Sequence, residues 1–140
     1  MLSARQVTIL SAIALLFWIV AAAWIRFFPA AIIDPLQGSI GFLTSIPVCW
    51  LCIRLARRVA VLSPEQLVSG TAVVVALAML IDASVLRWAP GVYSDSEEVR
   101  RLGAAWLLWG YGVSAWIALI VAGRKVRAAG TTSMMRPAVN

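Results

Sequence analysis

Three observations predict an all-α membrane protein, with four transmembrane helices in an up-down-up-down bundle. The first is composition. Of 140 residues, 62% are hydrophobic and 13% charged, with mean hydropathy +0.92, where a soluble domain is nearer half apolar and a quarter charged. The second is that the apolar residues fall into four long runs rather than alternating as one globular core requires. The third is that the charges, net +6, lie between and beside those runs, a distribution suited to a membrane surface. A soluble enzyme and a nucleic-acid binder are excluded on the same grounds. The expected organisation is one domain over residues 1–129, with spans at about 7–28, 36–57, 65–87 and 97–125, and a disordered tail at 130–140.

Each span is long enough to cross. About 20 apolar residues bridge a hydrocarbon core as a helix, and helix is required because no water is present to satisfy the backbone. Span one has the uncharged core Val7–Ile25. Arg5 and Ala21-Ala22-Ala23 resemble a signal peptide, but the apolar run continues through Trp24, Ile25, Phe27 and Phe28, so it is read as a retained span. Pro29 ends it, and Asp34-Pro35 begins the next segment. Span two, Pro35–Ile53, carries Pro47 in its interior. A kink is expected there, with Thr44 and Ser45 satisfying the freed carbonyl. Ser63-Pro64-Glu65-Gln66 is a capping box opening span three, and Ser94-Asp95-Ser96-Glu97 is a second one opening span four. The fourth helix should run past Gly123 to about Ala128.

Orientation follows from the basic residues. Arg5, Arg54, Arg57, Arg58, Arg124, Lys125, Arg127 and Arg136 share one side, while Arg26, Arg87, Arg100 and Arg101 lie on the other among most of the acids. Both termini are therefore expected in the cytoplasm of a bacterial inner (plasma) membrane. Arg54, Arg57, Arg58, Arg124, Lys125 and Arg127 become candidate lipid-headgroup contacts. Trp24, Phe27, Phe28, Trp88, Tyr93 and Trp106 should form an aromatic belt at the opposite interface.

Asp82 is the one acid inside an apolar run, and an ionisable group in hydrocarbon is costly enough to need a partner or a function. Arg26 is its expected partner in an intramembrane ion pair, because Arg87 lies on a different helix face. Gly103, Gly110 and Gly112 are candidate helix-packing positions in span four, with Pro47 in span two. No histidine is present and there are two cysteines. Neither a metal site nor a cofactor is expected from that inventory.

Cys49-Trp50-Leu51-Cys52 is a C-x-x-C motif. In that motif and in span count the chain resembles the DsbB-like and vitamin K epoxide reductase-like membrane oxidoreductases. Those enzymes relay electrons through a second cysteine pair, which this chain lacks. Over about residues 9–123 the chain also resembles a family of small four-span bacterial membrane proteins of unknown function. The likeness rests on Leu15-Leu16-Phe17-Trp18, Arg26-Phe27-Phe28, Leu80-Ile81-Asp82-Ala83 and Ala105-Trp106-Leu107-Leu108-Trp109-Gly110-Tyr111-Gly112. It implies the same four-helix architecture and supplies no reaction or ligand.

Three functional readings result. The first is a non-enzymatic membrane scaffold or accessory subunit, with the lipid bilayer as its surroundings and a homo-oligomer or larger membrane complex as its setting. The second is a small proton- or cation-coupled transporter using Asp82. The third is a membrane thiol oxidoreductase using Cys49 and Cys52.

Overall fold

The computed structural model describes residues 1–134, with side chains as far as residue 123. Four long helices, α1 (Ala4–Phe27), α3 (Pro35–Val59), α4 (Leu67–Trp88) and α5 (Glu97–Met134), are joined by a five-residue helix α2 (Pro29–Ile33) and two short 3₁₀ turns. The four long helices are apolar and long enough to cross a membrane. Their outward faces carry exposed Leu43, Leu51, Leu80, Leu108 and Trp116. Such surfaces fit a lipid solvent and would be an aggregation liability in water.

Helix ends follow local chemistry. Ser3 caps α1 reciprocally: its backbone N–H donates to Gln6 Oε1 at 2.9 Å, and the Gln6 N–H donates to Ser3 Oγ at 3.2 Å. α2 is an element the sequence reading missed. Pro29 ends α1 and is also well placed as a first helical residue. Asp34, held extended at φ −63° and ψ 123° ahead of Pro35, then closes α2 and caps α3 by accepting from Gln37 N at 2.8 Å. At the start of α5 the cap is Ser96, whose Oγ accepts from Val99 N at 3.4 Å, while Ser94 Oγ turns back to Ser96 N at 3.1 Å. The expected Ser94–Glu97 box is thus displaced by two residues. Gly130 does not stop α5, which continues to Met134, since glycine inside a helix costs only about 1 kcal/mol. α5 as described thus includes residues 130–134 of the expected tail. Residues 135–140 lie outside the described ones.

α3 runs through Pro47 as one helix. Thr44 Oγ1 donates to Ile40 O at 2.8 Å and Ser45 Oγ to Phe42 O at 2.6 Å. These hydroxyls therefore serve the Ile40 and Phe42 carbonyls, three residues and one residue before the Leu43 carbonyl that proline leaves free. Trp109 of α5 reinforces this turn, its Nε1 lying 3.0 Å from both Phe42 O and Ser45 Oγ.

The end of α3 is a Schellman motif: Leu62 N donates to Arg57 O at 2.9 Å and Val61 N to Arg58 O at 3.3 Å. Val61 occupies its left-handed position at φ 50°. A β-branched residue is a poor fit there, and its side chain is 79% exposed and contributes little packing. Left-handed backbone costs a non-glycine residue about 1–2 kcal/mol, and glycine loses about 0.5–1 kcal/mol more chain entropy on folding. Val61→Gly should therefore stabilise the protein by about 0.5–1 kcal/mol, read as a raised midpoint in SDS-induced unfolding. A lowered midpoint would show that the valine makes contacts worth more than its backbone strain.

The direction alternates from span to span, but of the consecutive spans only α4 and α5 pack closely, while α3 stands apart from both α1 and α4. α1 packs mainly on α4, α4 on α5 and α5 on α3, with α2 wedged against α3 and α5. Two buried clusters result. One joins Leu10, Ile13, Ala56, Ala60 and Leu62 at the end that carries the N-terminus. The other joins Ala22, Ile25, Ile32, Tyr93, Val99 and Leu107 at the opposite end.

Candidate functional site: a buried carboxyl clasp

Asp82 lies on α4 six residues before its end, about 9 Å inside at 1.5 Å per residue, and is only 5% exposed. Both of its carboxyl oxygens are occupied. The Tyr93 hydroxyl donates to Oδ1 and the Tyr111 hydroxyl to Oδ2. Trp18 Nε1 of α1 donates in turn to the Tyr93 hydroxyl at 2.8 Å. The chain has two tyrosines, and both end on this one carboxyl. Three helices and the α4–α5 turn are tied together: Trp18 from α1, Asp82 from α4, Tyr93 from the turn and Tyr111 from α5. Tyr93 is 1% exposed. Burial, and then its bond to Asp82, push its phenol above the ordinary range, so it stays a protonated donor.

The expected Asp82–Arg26 pair is not formed. Arg26 NH1 instead meets Asp95 Oδ2 at 3.2 Å and the Gly91 carbonyl at 3.0 Å. The physical reason is direction. Arg26 is the penultimate residue of α1, and a guanidinium near a span end snorkels toward water. A tyrosine from the overlying turn instead reaches down to the acid. The Arg26–Asp95 bridge is exposed, with 87% of the Asp95 side chain accessible, and exposed pairs contribute little. Arg26→Ala should consequently move the unfolding midpoint by less than about 1 kcal/mol. A larger loss would mean that Arg26 supports the Asp82 clasp through the turn.

Tyr93 is thereby taken out of the aromatic belt. Trp24 and Phe28 do stack, with ring centroids 4.5 Å apart. The missed signal was arithmetic: a buried tyrosine hydroxyl needs a partner, a buried acid needs donors, and one acid stood among the spans.

Of the packing candidates, Gly103 is a close approach. A Cβ there would lie 3.1 Å from two atoms of Ile25. Gly110 and Gly112 have nothing within 4 Å of such a Cβ, so a side chain at either would meet open space. The Gly110 carbonyl accepts from Cys49 Sγ at 3.6 Å. The sequence reading overlooked Gly70, where a Cβ would meet Leu62 Cδ1 at 2.5 Å. Cys49 and Cys52 are free thiols on one helix. No three His, Cys, Asp or Glu side chains converge among the described residues.

A lateral groove of about 710 Å³ runs between α2, α3 and α5, lined by Trp24, Gly38, Gly41, Phe42, Trp106 and Trp109 among others. Asp82 and its two tyrosines are not part of its wall. Of the basic residues, Arg54 and Arg58 are exposed and Arg57 is half-buried. The side chains of Arg124, Lys125 and Arg127 lie outside the described residues.

Fold and site together define a four-span, all-α membrane protein whose helices are clasped around one carboxyl. No protein-family model, curated protein or solved structure matches the chain.

Proposed function

We propose that the protein is a non-enzymatic scaffold or accessory subunit of the bacterial inner membrane, with both termini in the cytoplasm. The observation that carries this reading is the occupancy of Asp82. Both of its oxygens are committed to tyrosine hydroxyls from the turn and α5, an arrangement that ties helices together. A coupling acid has to exchange its proton or cation with water, and this one is 5% exposed. The basic excess on the side of the termini supports the orientation.

The test is reconstitution in liposomes loaded with a pH-sensitive dye, under imposed proton, sodium and potassium gradients. Fluxes should equal those of empty vesicles, for the wild type and for Asp82→Asn alike. A flux carried by the wild type and lost in Asp82→Asn would overturn the reading and make the protein a carrier. In parallel, membranes of the native host, mildly solubilised, should yield the chain in a complex of fixed stoichiometry by native mass spectrometry. Recovery as a free monomer at all detergent concentrations would count against a subunit role.

A further inference from the structure

Near the end of α3 on the side of the N-terminus, Trp50, Arg54, Leu51, Leu55 and Arg58 enclose a shallow surface cavity of about 240 Å³. Positions 50, 54 and 58 are four apart and form one row along the helix, with 51 and 55 in the adjacent row. The cavity therefore has an apolar part deeper in the span and two guanidiniums toward its end. Trp50, Leu51 and Leu55 are exposed on the outward face, where the surroundings are lipid. The Arg54 guanidinium lies over the Trp50 ring, 4.5 Å from its centroid. Stacking uses the flat face of the guanidinium and leaves its in-plane N–H donors free. Arg58 follows one turn later, about 6 Å along the axis. No acidic side chain lines the cavity.

A ligand that satisfies this surface carries an anionic, multi-oxygen group and an apolar chain extending from it along the helix. We propose that Trp50, Arg54 and Arg58 hold the phosphate of one anionic glycerophospholipid, whose acyl chain lies along Leu51 and Leu55. Two guanidiniums give the phosphate charge-assisted, forked hydrogen bonds, and the indole sits at headgroup depth. Arg57 is half-buried and does not line the cavity, so it stands outside the site. The six-residue basic set read from sequence thus reduces, on α3, to one pair.

Binding is measured by native mass spectrometry of the detergent-solubilised full chain titrated with phosphatidylglycerol, phosphatidylcholine or glycerol 3-phosphate. The wild type should retain one phosphatidylglycerol in preference to phosphatidylcholine, and glycerol 3-phosphate should not displace it. Arg54→Gln with Arg58→Gln should weaken phosphatidylglycerol binding about thirty-fold, taking each basic residue at its usual worth near an anionic surface. Arg57→Gln should change it by less than about two-fold, because Arg57 does not line the cavity. Arg54→Lys with Arg58→Lys keeps the charge and loses the planar fork, so binding should fall several-fold. This pair also provides the test if the glutamine pair does not assemble. Equal loss in Arg57→Gln, or no loss in the lysine pair, would reduce the effect to diffuse charge and overturn the site. Equal binding of phosphatidylcholine would leave only an acyl-chain groove. Displacement by glycerol 3-phosphate would identify a soluble phosphate site instead of a lipid site.

Discussion

Asp82→Ala should lower the stability of the bundle by about 3 kcal/mol, making it the most damaging single truncation among the polar residues of the spans. Interhelical hydrogen bonds in membranes average about 0.6 kcal/mol and reach about 1.7. Here two such bonds are lost at once, and the hydroxyls of buried Tyr93 and half-buried Tyr111 are left without this acceptor, where an unsatisfied buried group costs about 1–3 kcal/mol. The check is SDS-induced unfolding in mixed micelles, run as a double-mutant cycle. Tyr111→Phe alone should cost about 1–2 kcal/mol. In the Asp82→Ala background it should cost close to nothing, because the hydroxyl it removes has no acceptor left. Asp82→Asn, which keeps one carbonyl acceptor, should fall between the wild type and alanine. Full stability in Asp82→Ala would mean that the clasp does not hold the helices. The buried acid would then need another reason to be there, and proton coupling would become the first candidate.

Gly70→Val should destabilise by about 2–3 kcal/mol, within the range for overfilled cores. A Cβ at position 70 already meets Leu62 Cδ1 at 2.5 Å and Leu10 Cδ1 at 3.5 Å, and both leucines are buried. Valine adds two further methyls to that space. If the clash with Leu62 is the cause, Leu62→Ala should absorb most of the penalty when the two are combined. Gly112 is the control. Nothing lies within 4 Å of a Cβ there, so Gly112→Ala should be neutral or stabilising by up to about 1 kcal/mol. Equal losses at 70 and 112 would point to glycine flexibility rather than packing.

These two positions illustrate what the sequence made legible. The spans, their boundaries and the single buried acid were readable because hydrocarbon imposes a length and penalises charge residue by residue. Capping chemistry was readable for the same reason: Asp34-Pro35 and Ser63-Pro64-Glu65-Gln66 act through neighbours a few positions away. Partners were not readable. Arg26 and Asp82 are opposite charges at compatible depths, and pattern alone joined them. The structure resolves this by side-chain direction, since the arginine points out and the two tyrosines point in. Glycines were misread in the same way. Gly110 and Gly112 look like packing positions by spacing, while Gly70 does not, and only the three-dimensional arrangement puts Leu62 and Leu10 over Gly70. The α1–α4 and α3–α5 pairings belong to this class too, because short loops favour sequential neighbours and α2 defeats that expectation.

That pairing has a consequence for biosynthesis. α1 is made before the other three spans, yet its main partner is α4. Gln6 Nε2 donates to the Ala60 and Val61 carbonyls and to Gln66 Oε1, and Trp18 waits for Tyr93. At about 5–20 residues per second, the contacts of Gln6 come on the order of three to twelve seconds after it is made. During that interval Gln6 and Trp18 of α1 lack the later partners that they bond in the folded chain. Translation speed and the insertion machinery therefore bear on this small protein more than its length would suggest. A chain arrested after the second span should be a substrate for membrane quality control, while one arrested after the third already holds the pairing that anchors α1.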